Sequence, residues 1–229
     1  MAADAARVTT GLAIFVKTPG LSPVKTRLGA EIGRDEAVTF HRMAAAAVAG
    51  VARAAGPALA PAWAVAEAEA LGHPAWSGLP TIGQGEGGLG ERMGRVYAAL
   101  LARHGSVLLV GADSPQMSPA LLRQAARAVT AGSAPYTIGP SEDGGFWLFG
   151  GRAAVPDRIW TGVEYSRHDT AGRFVAALAA EGVATSLPRL FDADTARELA
   201  AVREALGSLP DLVPEQVELL RWLKGLTLP

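Results

Sequence analysis

The stretch SVLLVGADSP, residues 106–115, contains the run VLLVG with none of the alternation that marks a half-exposed strand. A short, unbroken apolar run is buried on both faces, as in the middle of a parallel sheet. Pro115 stops it, and SPALLRQAARAVTAG (118–132) follows, with Ser118 placed as N-cap and Pro119 at the first helical position. On the other side, LGERMGRVYAALLARHG (89–105) reads as a helix closed by Gly105.

The same alternation continues outward. GLAIFV (11–16) is a short strand, and a long helix spans about Asp35 to Ala55, with acids in its first turn and Gly56 at its end. ALAPAWAVAE (58–67) is a weaker strand because Pro61 interrupts it. PYTIGP and GFWLFGG are strands around the turn SEDGG. DTAGRFVAALAAEG is a helix, VATSLPRLFDAD a last strand and loop, and TARELAAVREALG and PEQVELLRWLKG two final helices. Strands alternating with helices predict a three-layer α/β/α fold with a mostly parallel central sheet. The chain reads as one domain over residues 1–229, with 1–10 peripheral or disordered and 211–229 a C-terminal helix.

A net charge of −1 excludes a general nucleic-acid-binding surface. No cysteine is present, which excludes disulfides, thiolate metal sites and cysteine nucleophiles. No signal peptide and no apolar run of about 18 residues is found, so a cytoplasmic location without a membrane span is expected.

Ligands of open parallel sheets sit outside the carboxyl ends of the strands, and four segments there carry candidate chemistry. FVKTPGLSPVKTRLG (15–29) places Lys17, Lys25 and Arg27 around a loop stiffened by Pro19 and Pro23, with Thr26 between the last two cations. Ammonium and guanidinium groups grip phosphate oxygens; the plainer alternative is solvated cations, with Arg27 paired to Glu31. GQGEGGLGERM (83–93) matches G-x-G-x-x-G, but follows only the weak run LPTI and has Leu108 where a ribose-binding acid is expected. A dinucleotide is therefore not expected. A loop at a helix N-terminus that holds an anion or ribose remains, with Gln84, Gly88, Leu89, Gly90 and Arg92 as contacts; a plain surface loop is the alternative.

GADSP (111–115) ends the most buried strand with Asp113, read as a divalent-metal ligand against the alternatives of a helix cap or a structural hydrogen-bond acceptor. GPSEDGGFWLFG (139–150) offers Glu142, Asp143, Gly144 and Gly145 to an acceptor, unless DG is simply a hairpin turn. Ser166 and His168 in YSRHDT are weaker acceptor candidates. In FDADT, Asp192 is the candidate second metal ligand, with Asp194 or Thr195 capping the next helix.

In this order, the five segments FVKTPGLSPVKTRLG, QGEGGLGERM, GADSP, GPSEDGGFWLFG and FDADT resemble the bacterial selenodomain-associated, glycosyltransferase-like family of nucleotide-diphospho-sugar transferases. KTRL and DGG are also similar to 2-phospholactate guanylyltransferase, and GADSP resembles the Mg²⁺-binding G-x-D-x-P of molybdenum-cofactor nucleotidyltransferases. The resemblance runs from about Leu12 to Leu199. The chain departs from the family at Tyr165–Ser166, at Glu86, and at Phe146, which stands where the family has tyrosine.

The resemblance implies a GT-A fold, a nucleotide or nucleotide-sugar substrate, a small-molecule acceptor, and Mg²⁺ or Mn²⁺ on Asp113 and Asp192. Lys25, Arg27, Asp113 and Asp143 are the expected catalytic residues. The two cations favour nucleotidyl transfer with pyrophosphate release. Glycosyl transfer from a nucleotide sugar is the first alternative and a non-catalytic nucleotide-binding module the second.

Overall fold

The computed structural model describes residues 9–228. The expectation of a peripheral segment over residues 1–10 falls outside the described residues up to residue 8, and Thr10 already opens a strand.

Seven strands form one sheet among the described residues: β1 (Thr10–Val16), β2 (Leu59–Val65), β3 (Thr81–Gly83), β4 (Val107–Gly111), β5 (Tyr136–Pro140), β6 (Phe146–Gly151) and β7 (Ala184–Ser186). Their order is β3-β2-β1-β4-β6-β5-β7. Only β6 runs against its neighbours β4 and β5, so the sheet is mostly parallel, as the sequence predicts.

β4 shows why the deciding stretch lacks alternation. Leu108 and Val110 pack on one face with Leu12, Ile14 and Val16 of β1. Val107 and Leu109 pack on the other with Ala13 and Phe149. Both faces are covered by helices, so every residue of the strand is apolar.

The first face carries α2 (Arg34–Ala54), through Ala45, Val48 and Ala52, and α4 (Pro119–Ala131), through Leu122, Ala125 and Val129. The second carries α3 (Leu89–His104), α5 (Asp157–Thr161) and α6 (Thr170–Leu178), through Tyr97, Trp160 and Phe174. A third cluster joins α1 (Thr26–Ile32) and α2 to α7 (Ala196–Ser208) and α8 (Pro214–Gly225), with Leu28, Phe40, Leu199 and Leu219 at its centre.

Pro61 is tolerated for a simple reason. β2 pairs with β1 along its whole length, but β3 reaches it only from Trp63 onward. The outer edge at Pro61 has no ladder to complete, and a missing N–H costs little there.

Two helices escape the sequence pattern. α1 begins after Lys25, whose backbone is left-handed (φ 46°), and has neither a capping side chain nor an acid in its first turn. Gly33 (φ 98°) then separates it from α2. α5 has only five residues, too few to show a period.

Candidate active site

The first loop is anchored rather than waiting for a partner. Thr18 is fully buried; its N–H donates to Glu67 Oε2 at 2.9 Å and its hydroxyl accepts from Trp76 Nε1 at 2.9 Å. Its carbonyl accepts from the amides of Leu21 and Ser22. His41 Nε2 lies 2.9 Å from the Lys17 carbonyl. Burial holds the His41 ring below the ordinary histidine range, so it stays neutral with Nε2–H as donor. Glu67, Trp76 and His41, all distant in sequence, thus satisfy the polar groups of the loop.

From this anchored loop Lys25 turns inward. Its side chain is 4% exposed, and Nζ lies 2.7 Å from Asp113 Oδ1 and 2.9 Å from Asp194 Oδ1. Burial pulls its pKa down, but Asp113 and Asp194 outweigh this and raise it, so the ammonium persists. The Phe40 ring lies 5.8 Å from the same nitrogen. Asp194 also pairs with Arg27. Burial alone would raise the Asp194 carboxyl; Lys25 and then Arg27 hold it below the usual carboxylate range.

Neither carboxylate caps a helix. Ser118 caps α4, accepting from Leu121 N at 3.2 Å, and Thr195 caps α7, accepting from Glu198 N at 3.3 Å. Asp113 is therefore no helix cap, while its 2.7 Å contact with Lys25 keeps the other alternative, a structural acceptor, in view. Beside it, Asp192 accepts a 2.7 Å hydrogen bond from the Ser114 hydroxyl. Burial first, then the negative charges of Asp113 and Asp143, push the Asp192 carboxyl up to about 7, with Ser114 and Lys25 partly offsetting them.

Three acids thus crowd the carboxyl end of β4 from three distant segments. Gln216 of α8 braces the loop below them: its amide donates to the carbonyls of Pro115 (2.8 Å) and Met117 (2.9 Å). Sequence reading finds neither Gln216 nor Ser114 because nothing local distinguishes them.

A cleft of about 330 Å³ opens beside these carboxylates, lined by Lys17, Lys25, Gln84, Leu89, Asp113 and Asp194 among others. Phe15, Met93 and Phe146 give it an apolar wall, the surface an aromatic base or a ring face requires.

The glycine loop departs from expectation. It is stapled down: Arg95 donates to the carbonyls of Gln84 (2.6 Å) and Glu86 (3.1 Å), and Arg92 Nε donates to the Gly87 carbonyl at 2.9 Å. The Gly88 amide is taken by Glu91 Oε2 at 2.7 Å. Gln84 spends both amide hydrogens on the carbonyls of Val16 and Ala64 and is 4% exposed. It buttresses the cleft wall rather than reaching out as a handle. A side chain at Gly90 would meet the Trp160 carbonyl at 2.0 Å; this glycine serves helix packing. Pro19 and Arg92 lie outside the cleft lining, and Thr26 lines a separate groove beneath the first loop.

At the other candidate site, Asp143 Oδ1 accepts from Gly145 N at 2.9 Å. Gly144 (φ 90°) lies so close to the chain that a Cβ would sit 1.9 Å from the His168 carbonyl. Gly144, Gly145 and His168 line a second cavity of about 440 Å³, whereas Glu142 and Ser166 do not. Ser166 is exposed with left-handed backbone (φ 61°).

Arg27 is 72% exposed, and its visible partner is Asp194 rather than Glu31, whose carboxylate accepts from Ala196 N at 2.6 Å. Arg27→Ala is expected to change stability by less than about 1 kcal/mol in chemical denaturation, as for other exposed ion pairs. A fall in turnover of ~10² or more, the scale of a lost transition-state donor, would instead restore its expected grip on phosphate.

A family of bacterial proteins, described as uncharacterized proteins conserved in bacteria (DUF2064), matches residues 41–167, more than half of the chain. The chain belongs to this family. The match covers GADSP and the β5–β6 turn, but neither the Lys25 loop nor Asp192.

Among solved structures, the chain is similar to a candidate nucleotide-diphospho-sugar transferase from Desulfovibrio desulfuricans G20, with TM-score 0.81 and 25% identity over 94% of this chain and 95% of that one. Rv0371c from Mycobacterium tuberculosis H37Rv shares the fold alone, at TM-score 0.51 and 16% identity over 85% of this chain and 97% of that one. Its complex with manganese matches at TM-score 0.50, with 16% identity over 85% of this chain and 98% of that one. No curated protein matches. The fold is of the GT-A, nucleotide-diphospho-sugar transferase type. No helix among the described residues is long and apolar enough to cross a membrane.

Proposed function

We propose that this chain is a metal-dependent transferase that moves a sugar from a nucleotide-diphospho-sugar to a hydroxyl group of a small acceptor. The observation that carries the reading is the placing of two carboxylates at the end of β4: Asp113, which lines the cleft, and the buried Asp192, held by the hydroxyl of the adjacent Ser114 at 2.7 Å and pushed up by the charge of Asp113. Among the described residues no three His, Cys, Asp or Glu side chains are grouped to hold a metal unaided. Two carboxylates fit Mg²⁺ or Mn²⁺ in the mode where substrate phosphates complete the shell. The likeness to the Desulfovibrio protein supports the nucleotide-sugar substrate, and Rv0371c, which shares the fold, is known in complex with manganese. When bound, such a cation offsets the charge gained by the departing nucleoside diphosphate.

The chain's own residues then divide the work. Lys25 ties Asp113 to Asp194 and so fixes the direction of the first carboxylate. Leu89, Phe15 and Met93 face the base or ribose, and Lys17, exposed at the rim, faces the diphosphate. At the acceptor, a hydroxyl oxygen bonds to the anomeric carbon. The bond from that carbon to the phosphate oxygen breaks, and its electron pair leaves with the nucleoside diphosphate. Asp143, held by the Gly145 amide, takes the hydroxyl proton.

This reading replaces nucleotidyl transfer as the leading one. That preference rested on Lys25 and Arg27 as free cations for pyrophosphate, and both are already paired with Asp113 or Asp194. Incubation with labelled nucleotide sugars and labelled nucleoside triphosphates, with Mn²⁺, decides the matter. Release of nucleoside diphosphate from a nucleotide sugar is the expected result; pyrophosphate from a triphosphate, with no turnover of any nucleotide sugar, would reinstate nucleotidyl transfer.

A further inference from the structure

The cavity at the β5–β6 turn is built around polar groups that the protein leaves unanswered. Ser141 is fully buried, and its hydroxyl finds no hydrogen-bond partner. Asp169 Oδ1 is likewise buried without one, with Arg167 Nε 3.8 Å away, beyond hydrogen-bond reach. Both residues line the cavity. Buried polar atoms without a partner are uncommon in folded proteins and call for an explanation, such as a bound group.

Two guanidiniums face the same space, each fixed by one bond. Arg189 donates to the Ser141 carbonyl at 2.9 Å, and Arg173 Nε donates to Asp169 Oδ2 at 2.6 Å. The remaining N–H groups of both forks have no other partner among the described residues. Pre-placed arginine forks match the paired oxygens of a phosphate or a carboxylate. The positive end of α6, which begins at Thr170, adds to the same field. Gly144, with no room for a side chain, leaves bare backbone as part of the wall.

Position links this cavity to the site already described. Ser141 bridges to Leu190, two residues before Asp192, and Asp143 belongs to the same turn.

We propose that this cavity binds the acceptor, and that the acceptor is a small hydroxylated molecule carrying an oxyanion, either a phosphate or a carboxylate. The inference rests on the transferase reading above. Arg173 and Arg189 hold the oxyanion, the Ser141 hydroxyl donates to it, and Asp169 Oδ1 accepts from a hydroxyl of the acceptor. The oxyanion is the handle, and a second hydroxyl near Asp143 is the nucleophile.

The test is calorimetric titration of the full chain with glycerol 3-phosphate, glycerate, glycerol and inorganic phosphate. Saturable binding of glycerol 3-phosphate or glycerate, tighter than glycerol or inorganic phosphate, is expected, and the tighter of the two identifies the oxyanion. Arg189→Gln and Arg173→Gln should each weaken it by about tenfold or more, as for a lost bond to a charged group. Both side chains are on the surface, so these variants should melt as the parent does. Absence of saturable binding at millimolar concentration, or affinity unchanged in both variants, would overturn the proposal. Nucleotide sugar with Mn²⁺ is titrated in parallel. Its failure to bind while glycerol 3-phosphate still binds through the two arginines would sink the transferase reading and leave an oxyanion site standing.

Discussion

Asp113→Asn removes the metal-dependent part of nucleotide binding while leaving the fold in place. The substitution keeps the shape of the side chain but takes away the charge that a divalent cation requires. Loss of even an outer partner of a metal site costs 10- to 100-fold, so loss of a ligand should weaken Mn²⁺-dependent affinity by at least about 10².

The structural cost is small. Lys25 keeps Asp194 at 2.9 Å, and Asp113 is 44% exposed, so its ion pair is screened by water. A change of about 1 kcal/mol or less is expected. Calorimetric titration of a nucleotide sugar with and without Mn²⁺, beside urea denaturation, separates the two effects. A variant that binds metal and nucleotide normally but melts much lower would make Asp113 a structural partner of Lys25 and nothing more.

Gly90→Ala lowers stability by about 3 kcal/mol, in the upper range for overpacking. The new methyl would sit 2.0 Å from the Trp160 carbonyl and 2.8 Å from Tyr165 Cε2. Neither neighbour can yield easily. Trp160 is 1% exposed and packs its ring within 5.1–5.5 Å of Tyr97, Phe149 and Phe174. The Tyr165 hydroxyl donates to the same Trp160 carbonyl at 2.8 Å.

For a chain of this length the melting temperature should fall by about 6–12 °C. Gly88→Ala is the control: its Cβ would meet only Glu91 Oε2, at 3.7 Å, on ordinary backbone (φ −72°). It should cost less than about 1 kcal/mol. A Gly90→Ala protein that melts like the parent but no longer binds nucleotide would return Gly90 to the ligand-binding role its motif suggests.

Gly90 shows how far one sequence can be read. Within GQGEGGLGERM, Gly85, Gly87, Gly88 and Gly90 look alike, yet Gly85 and Gly87 take positive φ, Gly88 caps α3 and Gly90 makes room for Trp160. A glycine records only that a side chain is absent. What fills the space is decided by α5, a helix too short to announce itself. Gln84 and Arg92 mislead in the same way. Their polarity marks them as handles for a ligand, but the nearest unsatisfied carbonyls belong to the protein and claim them first.

By itself the sequence determined the elements whose signals are local. The unbroken apolar run of β4, the Ser118 and Pro119 start of α4, and the Gly105 end of α3 each follow from backbone chemistry and burial within a few residues. It also located Asp113, Asp143 and Asp192 beyond strand ends. The tertiary structure decided what those residues face. Lys25 and Asp194 are 169 residues apart, and they meet because the order β1-β4-β6-β5 brings the first loop and the segment after β7 to one end of the sheet. Charge pairing acts over a few ångströms of space, whatever the distance along the chain, so no local pattern encodes it.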